Sequence, residues 1–197
     1  MYEHLVAECI DCGQQSPYTP EKTTCPHCGS GWREARYDYD AIGLKLLEVI
    51  KDRPFDIWRF GELLPIQKRH PVISMGEGGT PLLKAPHLGM MLNIPNLYIK
   101  DERQNPTGSF KDRQAAITVA TLKEAGVTET VLASTGNVAI SYSAYASRAG
   151  IKLWAFLTSL VPTEKMREVA SYDTQVNQTA ATAANSKKLP NEFAGKR

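Results

Sequence analysis

With 197 residues, 42% apolar and 22% charged side chains and a formal net charge of +2, the chain carries enough apolar material for one or two packed globular domains. A net charge near zero does not itself speak for or against nucleic acid, because a basic footprint is local. Here Lys and Arg are dispersed, with no basic stripe interleaved with aromatics, so no nucleic-acid partner is expected. No window is long and apolar enough for a membrane span, and Met1-Tyr2-Glu3-His4-Leu5 lacks the charged-then-apolar pattern of a signal peptide, so the chain reads as cytoplasmic.

In chain order, residues 1–35 form a small Cys/Pro/Gly-rich module holding all four cysteines. Residues 36–75 are a helical lead-in, in which Ile42, Leu46, Val49 and Ile50 recur at helical spacing and Pro54 and Pro65 punctuate the pattern. A glycine-rich loop, Gly76 to Pro81, opens the third region, residues 76–176. There Leu97-Tyr98-Ile99 reads as a strand. A helix is expected from Ser109 to about Ala125, with Ser109 as N-cap, Asp112 as its capping-box partner and Gly126 as C-terminal cap. Thr130 to Ala133 reads as a strand, a loop from Ser134 to Asn137 leads into a helix to about Ala149 capped by Gly150, and Ile151 to Leu157 reads as a strand. Pro162 opens a last helix running to about Ser171. Strand and helix in alternation predict an α/β fold: a parallel sheet with flanking helices, preceded by the small cysteine module. Residues 177–197 have few large apolar side chains, Leu189 and Phe193, and are expected to be a weakly structured tail.

Four segments carry candidate chemistry. Cys9-Ile10-Asp11-Cys12 and Cys25-Pro26-His27-Cys28 are two C-x-x-C knuckles, each followed by a glycine that permits the tight turn aiming backbone amides at sulfur. Four thiolates in two such pairs match tetrahedral Zn2+ in a zinc ribbon, a closed structural site. Two local disulfides or four free thiols are the alternatives. Gly76-Glu77-Gly78-Gly79-Thr80-Pro81-Leu82 lacks the Gly-Lys-Ser/Thr ending of a P-loop and taken alone is a tight turn. In Asn105-Pro106-Thr107-Gly108-Ser109-Phe110-Lys111-Asp112-Arg113, Lys111 falls in the first turn of a helix, where the dipole disfavours a cation and so favours the neutral amine. A neutral amine at an anion-friendly helix start suits attack on a carbonyl, although a lysine in a first turn is more commonly just solvated. Arg113 is expected to pair with Asp101 or Glu102, and Phe110 to lie in the core. Ser134-Thr135-Gly136-Asn137 follows a strand and opens a helix, which suffices as an N-cap and also suits a bound carboxylate.

The lysine run, the Gly76–Leu82 element and the Ser134–Asn137 loop, in this order, resemble the fold-type-II pyridoxal-phosphate enzymes, and within them the threonine synthases. The similarity runs from the knuckles to about Tyr172 and includes Trp58-Arg59-Phe60 and Leu63-Leu64-Pro65. The resemblance implies pyridoxal 5'-phosphate bound as a Schiff base to Lys111, with Asn137 on its phenolic oxygen. It assigns Ser134, Thr135 and Gly136 to the substrate carboxylate and places Thr80 at the cleft. It implies conversion of O-phospho-L-homoserine and water to L-threonine and phosphate, with Lys111 shuttling protons. Cysteate synthase and threonine dehydratase share these motifs. Gln114 stands where the family has a small residue and is expected to crowd helix packing. The family's cofactor-phosphate loop lies in a second half-chain, and after Gly150 this sequence has one glycine, Gly195. The chain alone is therefore expected to be weakly active or inactive, working with a complementing C-terminal half or as a homodimer. The competing expectation is an inactive fragment, or a zinc-ribbon binding or regulatory module.

Overall fold

The computed structural model describes residues 5–20, 22–67, 73–134, 136–179 and 192–193. Three small sheets form in chain order. The first is antiparallel, in the order β2-β1-β3, from β1 (Leu5–Cys9), β2 (Gln15–Pro17) and β3 (Arg33–Tyr37). Alternation in β1 puts Leu5, Ala7 and Cys9 inside, the period of a half-buried strand. Helix α1 (Tyr39–Val49) starts where Asp38 accepts a hydrogen bond from the Ala41 amide at 2.9 Å, satisfying one of the donors a helix start leaves open. A short 3-10 segment, Ile57–Leu63, follows and buries Trp58.

The second sheet is a two-stranded antiparallel ribbon of β4 (Leu82–Lys84) and β5 (Tyr98–Lys100), joined through α2 (Pro86–Met91). The third holds β6 (Glu129–Ser134), β7 (Lys152–Thr158) and β8 (Gln175–Thr179), all parallel in the order 6-7-8. Between these strands run α4 (Asn137–Ala149) and α5 (Thr163–Ser171), with α3 (Lys111–Glu124) ahead of β6. This is the α/β architecture that the alternating pattern predicts. β7 reads as a near-continuous buried strand, as expected for one with a neighbour on each side.

The main core lies where α3 packs on α4. Ala115, Ala116 and Ala120 of α3 and Ala146 and Ala149 of α4 are all buried, and side chains this short let the two helices approach closely. Close approach fixes the geometry between the N-terminus of α3 and that of α4, the two ends that carry the candidate chemistry. Gln114 faces solvent on α3, so it does not press on this packing as the sequence suggests. β8 is a strand the composition does not announce: it is polar, yet it completes the sheet beside β7 and covers Asn177 to Thr179 of the expected tail. Leu189 lies outside the described residues, while Phe193 stacks against Trp154 at 5.0 Å between ring centroids.

Candidate active site

The lysine segment is built by a chain of buried polar contacts. Helix α3 begins at Lys111 with Phe110 as its N-cap, and the Lys111 amide donates to Ser109 Oγ at 3.3 Å. Ser109 thus caps from one position further out than the sequence predicts. The capping box between Ser109 and Asp112 does not form. The fully buried Asp112 carboxylate instead reaches back to Thr107, accepting from its amide at 2.7 Å and its hydroxyl at 2.5 Å. Two charge-assisted hydrogen bonds outcompete a cap donor, because an unpaired buried carboxylate is very costly. Thr107 Oγ1 also lies 3.0 Å from Ser141 Oγ on α4. Ser141 is four residues after Asn137, so the two share one face of α4 and the lysine loop is tethered to the Asn137 face.

Lys111 is half-buried, with Nζ 4.4 Å from the centroid of the Phe110 ring. That ring is 56% exposed, so Phe110 is not the core residue expected but a surface aromatic beside the lysine amine. Asn105, at the head of the run, is buried; its Oδ1 accepts from the Gly78 amide at 3.1 Å, and its Nδ2 donates to the Glu102 carbonyl and to Glu102 Oε2, each at 2.9 Å. Glu102 pairs bidentately with Arg113, at 2.8 and 2.9 Å, and accepts from Thr80 Oγ1 at 2.6 Å. The Arg113 guanidinium holds the Glu102 carboxyl down to about 2, with Thr80 and Asn105 adding to the effect against the opposing pull of burial. Arg113 therefore takes Glu102 of the two acids expected, while Asp101 is engaged by Arg103. Thr80 is buried with its hydroxyl inside this network.

The glycine-rich loop owes its composition to crowding. Gly79 has φ +59°, and a Cβ there would lie 1.9 Å from the Phe55 carbonyl oxygen. A Cβ at Gly78 would lie 2.7 Å from the Ile57 amide nitrogen, which donates to the Glu77 carbonyl at 3.0 Å. Between them these contacts press the loop against the 55–57 lead-in. Glu77 is fully buried; its carboxylate accepts from the Trp58 indole, from the Met75 amide at 2.8 Å and from the Tyr145 hydroxyl at 2.8 Å. One carboxylate thereby fastens the lead-in, the glycine loop and α4 together. Burial, then the Glu77 carboxylate, push the Tyr145 hydroxyl far above its usual range and keep it a donor.

At the start of α4, Ser134 Oγ accepts from the Gly136 amide at 3.2 Å and the Ala139 amide at 3.1 Å, so the serine acts as a cap across the turn. Gly136 is extended and half-buried; Thr135 lies outside the described residues. Asn137 is exposed, and its Oδ1 accepts from Lys165 Nζ of α5 at 2.7 Å. That hydrogen bond leaves the Asn137 amide nitrogen as the free donor end of the side chain. The sequence reading gives no role to Thr107 or Glu77 within their motifs, and does not single out Ser141 or Lys165. Ser141 could have been found from its helical spacing to Asn137; Lys165 carries no sequence signal, because only the packing of α5, in the β7-β8 crossover, against α4, in the β6-β7 crossover, brings it there.

The cysteines come together as a separate centre. Cys9 ends β1, the first knuckle turns at Gly13 (φ +71°), and the second turns at Gly29 (φ +75°) ahead of β3. All four are free thiols whose sulfurs lie within 4.8 Å of one another, with Cys9 to Cys28 at 3.6 Å and Cys12 to Cys25 at 3.7 Å. A tetrahedral site with Zn–S bonds of about 2.3 Å has sulfur–sulfur edges of about 3.8 Å, close to the two shortest separations, so the four side chains are grouped as a zinc ion requires. The amides of Cys28 and His27 point at Cys25 sulfur and bring its thiol down to about 6.

With this geometry in place, the comparison with known proteins decides the family. The pattern of the pyridoxal-phosphate-dependent enzymes matches residues 73–196. The chain belongs to that family. Among curated relatives, it is 38% identical over 176 residues to threonine synthase of Methanocaldococcus jannaschii, covering 88% of this chain and 43% of the relative. It is 37% identical over 150 residues to threonine synthase of Methanosarcina acetivorans, covering 76% of this chain and 36% of the relative. This pyridoxal-phosphate-family chain thus spans less than half the length of the curated relatives it matches. Among solved structures, it is similar to a pyridoxal 5'-phosphate-dependent aspartate racemase at 27% identity and TM-score 0.55, over 60% of this chain and 37% of that one. The processed threonine deaminase isoform 2 of Solanum lycopersicum shares the fold at 24% identity and TM-score 0.54, over 59% and 32%. Among the described residues no helix is long and apolar enough to cross a membrane.

Proposed function

We propose that this chain is the lysine-bearing part of a threonine-synthase-like lyase that acts on O-phospho-L-homoserine and water to yield L-threonine and phosphate. The observation that carries the reading is the Asp112–Thr107–Ser141 relay, which ties the start of α3, with Lys111, to the Asn137 face of α4. Lys111 would hold pyridoxal 5'-phosphate covalently, and the Asn137 amide nitrogen, left free by Lys165, would donate to its phenolic oxygen. When bound, the cofactor supplies an electron sink for charge developing at the substrate's α carbon. The residues fit this role: Lys111 is half-buried at the N-terminus of α3, and its amine would then serve to move protons between substrate carbons. Amides at the α4 start, in the segment Ser134, Thr135 and Gly136, would receive the substrate carboxylate. Lys165, beside Gly136 and Asn137, adds a cation suited to a doubly anionic, phosphate-bearing substrate. Thr80, already bonded to Glu102 and Arg113, supports the cleft wall rather than reaching freely into it. Cys9, Cys12, Cys25 and Cys28 would hold a structural Zn2+ that braces residues 1–35 as a ribbon, ahead of a 36–75 lead-in, a 76–176 cofactor-binding region and a 177–197 tail.

The test is to add pyridoxal 5'-phosphate to the purified chain, record visible absorbance, reduce with borohydride and locate the trapped adduct by peptide mass spectrometry. The adduct is expected on Lys111, with both absorbance and adduct lost in Lys111→Ala. Zinc uptake with no Lys111 adduct would reject this reading in favour of a zinc-ribbon binding module.

A further inference from the structure

The way the Asn137 side chain is turned is decided by α5, from outside its own helix. Among the described residues its side-chain partner is Lys165, whose Nζ lies 2.7 Å from Asn137 Oδ1. Ser141, one helical turn along the same face, is engaged by Thr107 instead. The two ends of a carboxamide are nearly equal in shape, so its hydrogen bonds fix which end points where. An ammonium has donors and no acceptor. Only the oxygen end can face Lys165, because a turned-over amide would set donor against donor. The contact is also shaped by packing. Lys165 is half-buried and its stem lies along the glycine turn, so that a Cβ at Gly136 would stand 3.5 Å from its Nζ and 4.0 Å from its Cδ. Glu168, one turn away on α5, is the ordinary ion-pair partner for a lysine at this spacing, yet the amine reaches past it to α4.

We propose that Lys165 is a positioning residue for Asn137: it locks the carboxamide with the oxygen end toward α5 and the Nδ2 end free to donate. The bond does more than orient. A cation on the amide oxygen draws charge from the nitrogen and strengthens both N–H donors. An amide locked and polarised in this way selects an anionic oxygen on its ligand and refuses a group that itself donates. Under the proposed function that oxygen is the phenolic oxygen of pyridoxal 5'-phosphate. Removing the Lys165 amine therefore weakens the cofactor contact while leaving every atom of Lys111 and Asn137 in place. An ammonium has three donors, so bonding Asn137 leaves two for an anion of the substrate. Which oxygen Asn137 meets rests on the proposed function, whereas the lock rests on the contact between α4 and α5 alone.

The test compares the wild type with Lys165→Met, which keeps the apolar stem and loses the donors, and with Lys165→Arg, which restores donors. In the chain without cofactor, nitrogen relaxation of the Asn137 side-chain amide is expected to show an ordered group in the wild type and in Lys165→Arg, and a freely turning one in Lys165→Met. Lys152→Met, at the start of β7 and so at the opposite end of the sheet, is expected to leave that amide as it is. With pyridoxal 5'-phosphate added, the dissociation constant from an absorbance titration is expected to rise about ten-fold in Lys165→Met, the effect of one mis-set hydrogen bond to a charged group. The midpoint of the visible absorbance against pH is expected to move up by about one unit, because an anionic phenolic oxygen loses its donor; a role in folding alone would not move it. Lys165→Arg is expected to restore most of both. An Asn137 amide equally ordered in the wild type and Lys165→Met overturns the inference, and so does an unmoved midpoint. Absence of a Lys111 adduct in every variant would sink the cofactor reading, and the relaxation result would then decide the lock by itself.

Discussion

Replacing Asp112 separates a buried carboxylate that organises the lysine segment from one that merely sits beside it. In Asp112→Ala the Thr107 amide and hydroxyl lose their acceptor in a site with no exposed carboxylate surface, though the hydroxyl retains Ser141. Hydrogen bonds to a charged group contribute about 1.5–3 kcal/mol each, so the expected loss is about 3–5 kcal/mol. Asp112→Asn is a different perturbation. Its Oδ1 can still accept from the Thr107 amide, and its Nδ2 can donate to Thr107 Oγ1, whose own hydrogen then turns to Ser141 Oγ. Only the charge assistance is lost, about 1 kcal/mol. With a urea dependence of about 2 kcal/mol per molar, the midpoint falls by about 2 M for alanine and about 0.5 M for asparagine. The assay is urea unfolding followed by tryptophan emission, which reports on Trp58, 3% exposed in the adjoining core. Thr107→Val in the Asp112→Ala background is expected to cost much less than in the wild type, because the two residues share one interaction. If alanine costs under about 1 kcal/mol, or asparagine and alanine cost the same, the relay does not hold the segment.

Two further outcomes follow from the charges and the thiols. Glu102 has its carboxyl held at about 2, below the ordinary glutamate range near 4.5, so its folded-state pKa is depressed. Its contribution to stability is full above about pH 4.5 and is lost as pH falls toward 2. The stability gap between wild type and Arg113→Met, read from urea midpoints, is expected to be constant above about pH 5 and to narrow below it; a gap that widens on acidification would refute the Arg113–Glu102 assignment. For the cysteines, one zinc per chain is expected by elemental analysis, with chelation unfolding residues 5–37 while amides in β6 and β7 stay protected; zinc content unchanged in Cys9→Ser would exclude the four-sulfur site.

What was legible in the sequence was local. The knuckles encode their own turns through Gly13 and Gly29, and the sulfurs meet because β1 and β3 pair directly across them. Strand and helix alternation from Tyr98 to Ser171 follows from periodicity and end signals that neighbouring residues supply, so those elements were readable within a residue or two. The start of α4 at Asn137 and of α3 near Lys111 belong to the same class.

Partners far apart along the chain were decided elsewhere. Asp112 looked like a cap residue because its spacing to Ser109 allowed it; only the packed interface of α3 on α4 made Thr107 the better donor and Ser141 its neighbour. Phe110 looked like core because it is apolar, yet the backbone turn entering α3 points it outward over Lys111 Nζ. Gly78 and Gly79 read as part of a tight turn, and the further constraint on them is the backbone of residues 55–57 pressing from a distant segment. By itself the sequence determined which residues sit at helix starts and turns, since those choices depend on neighbours within a few positions. The tertiary structure alone decided which of them meet, because a buried carboxylate or hydroxyl takes whichever donor the packing brings within about 3 Å.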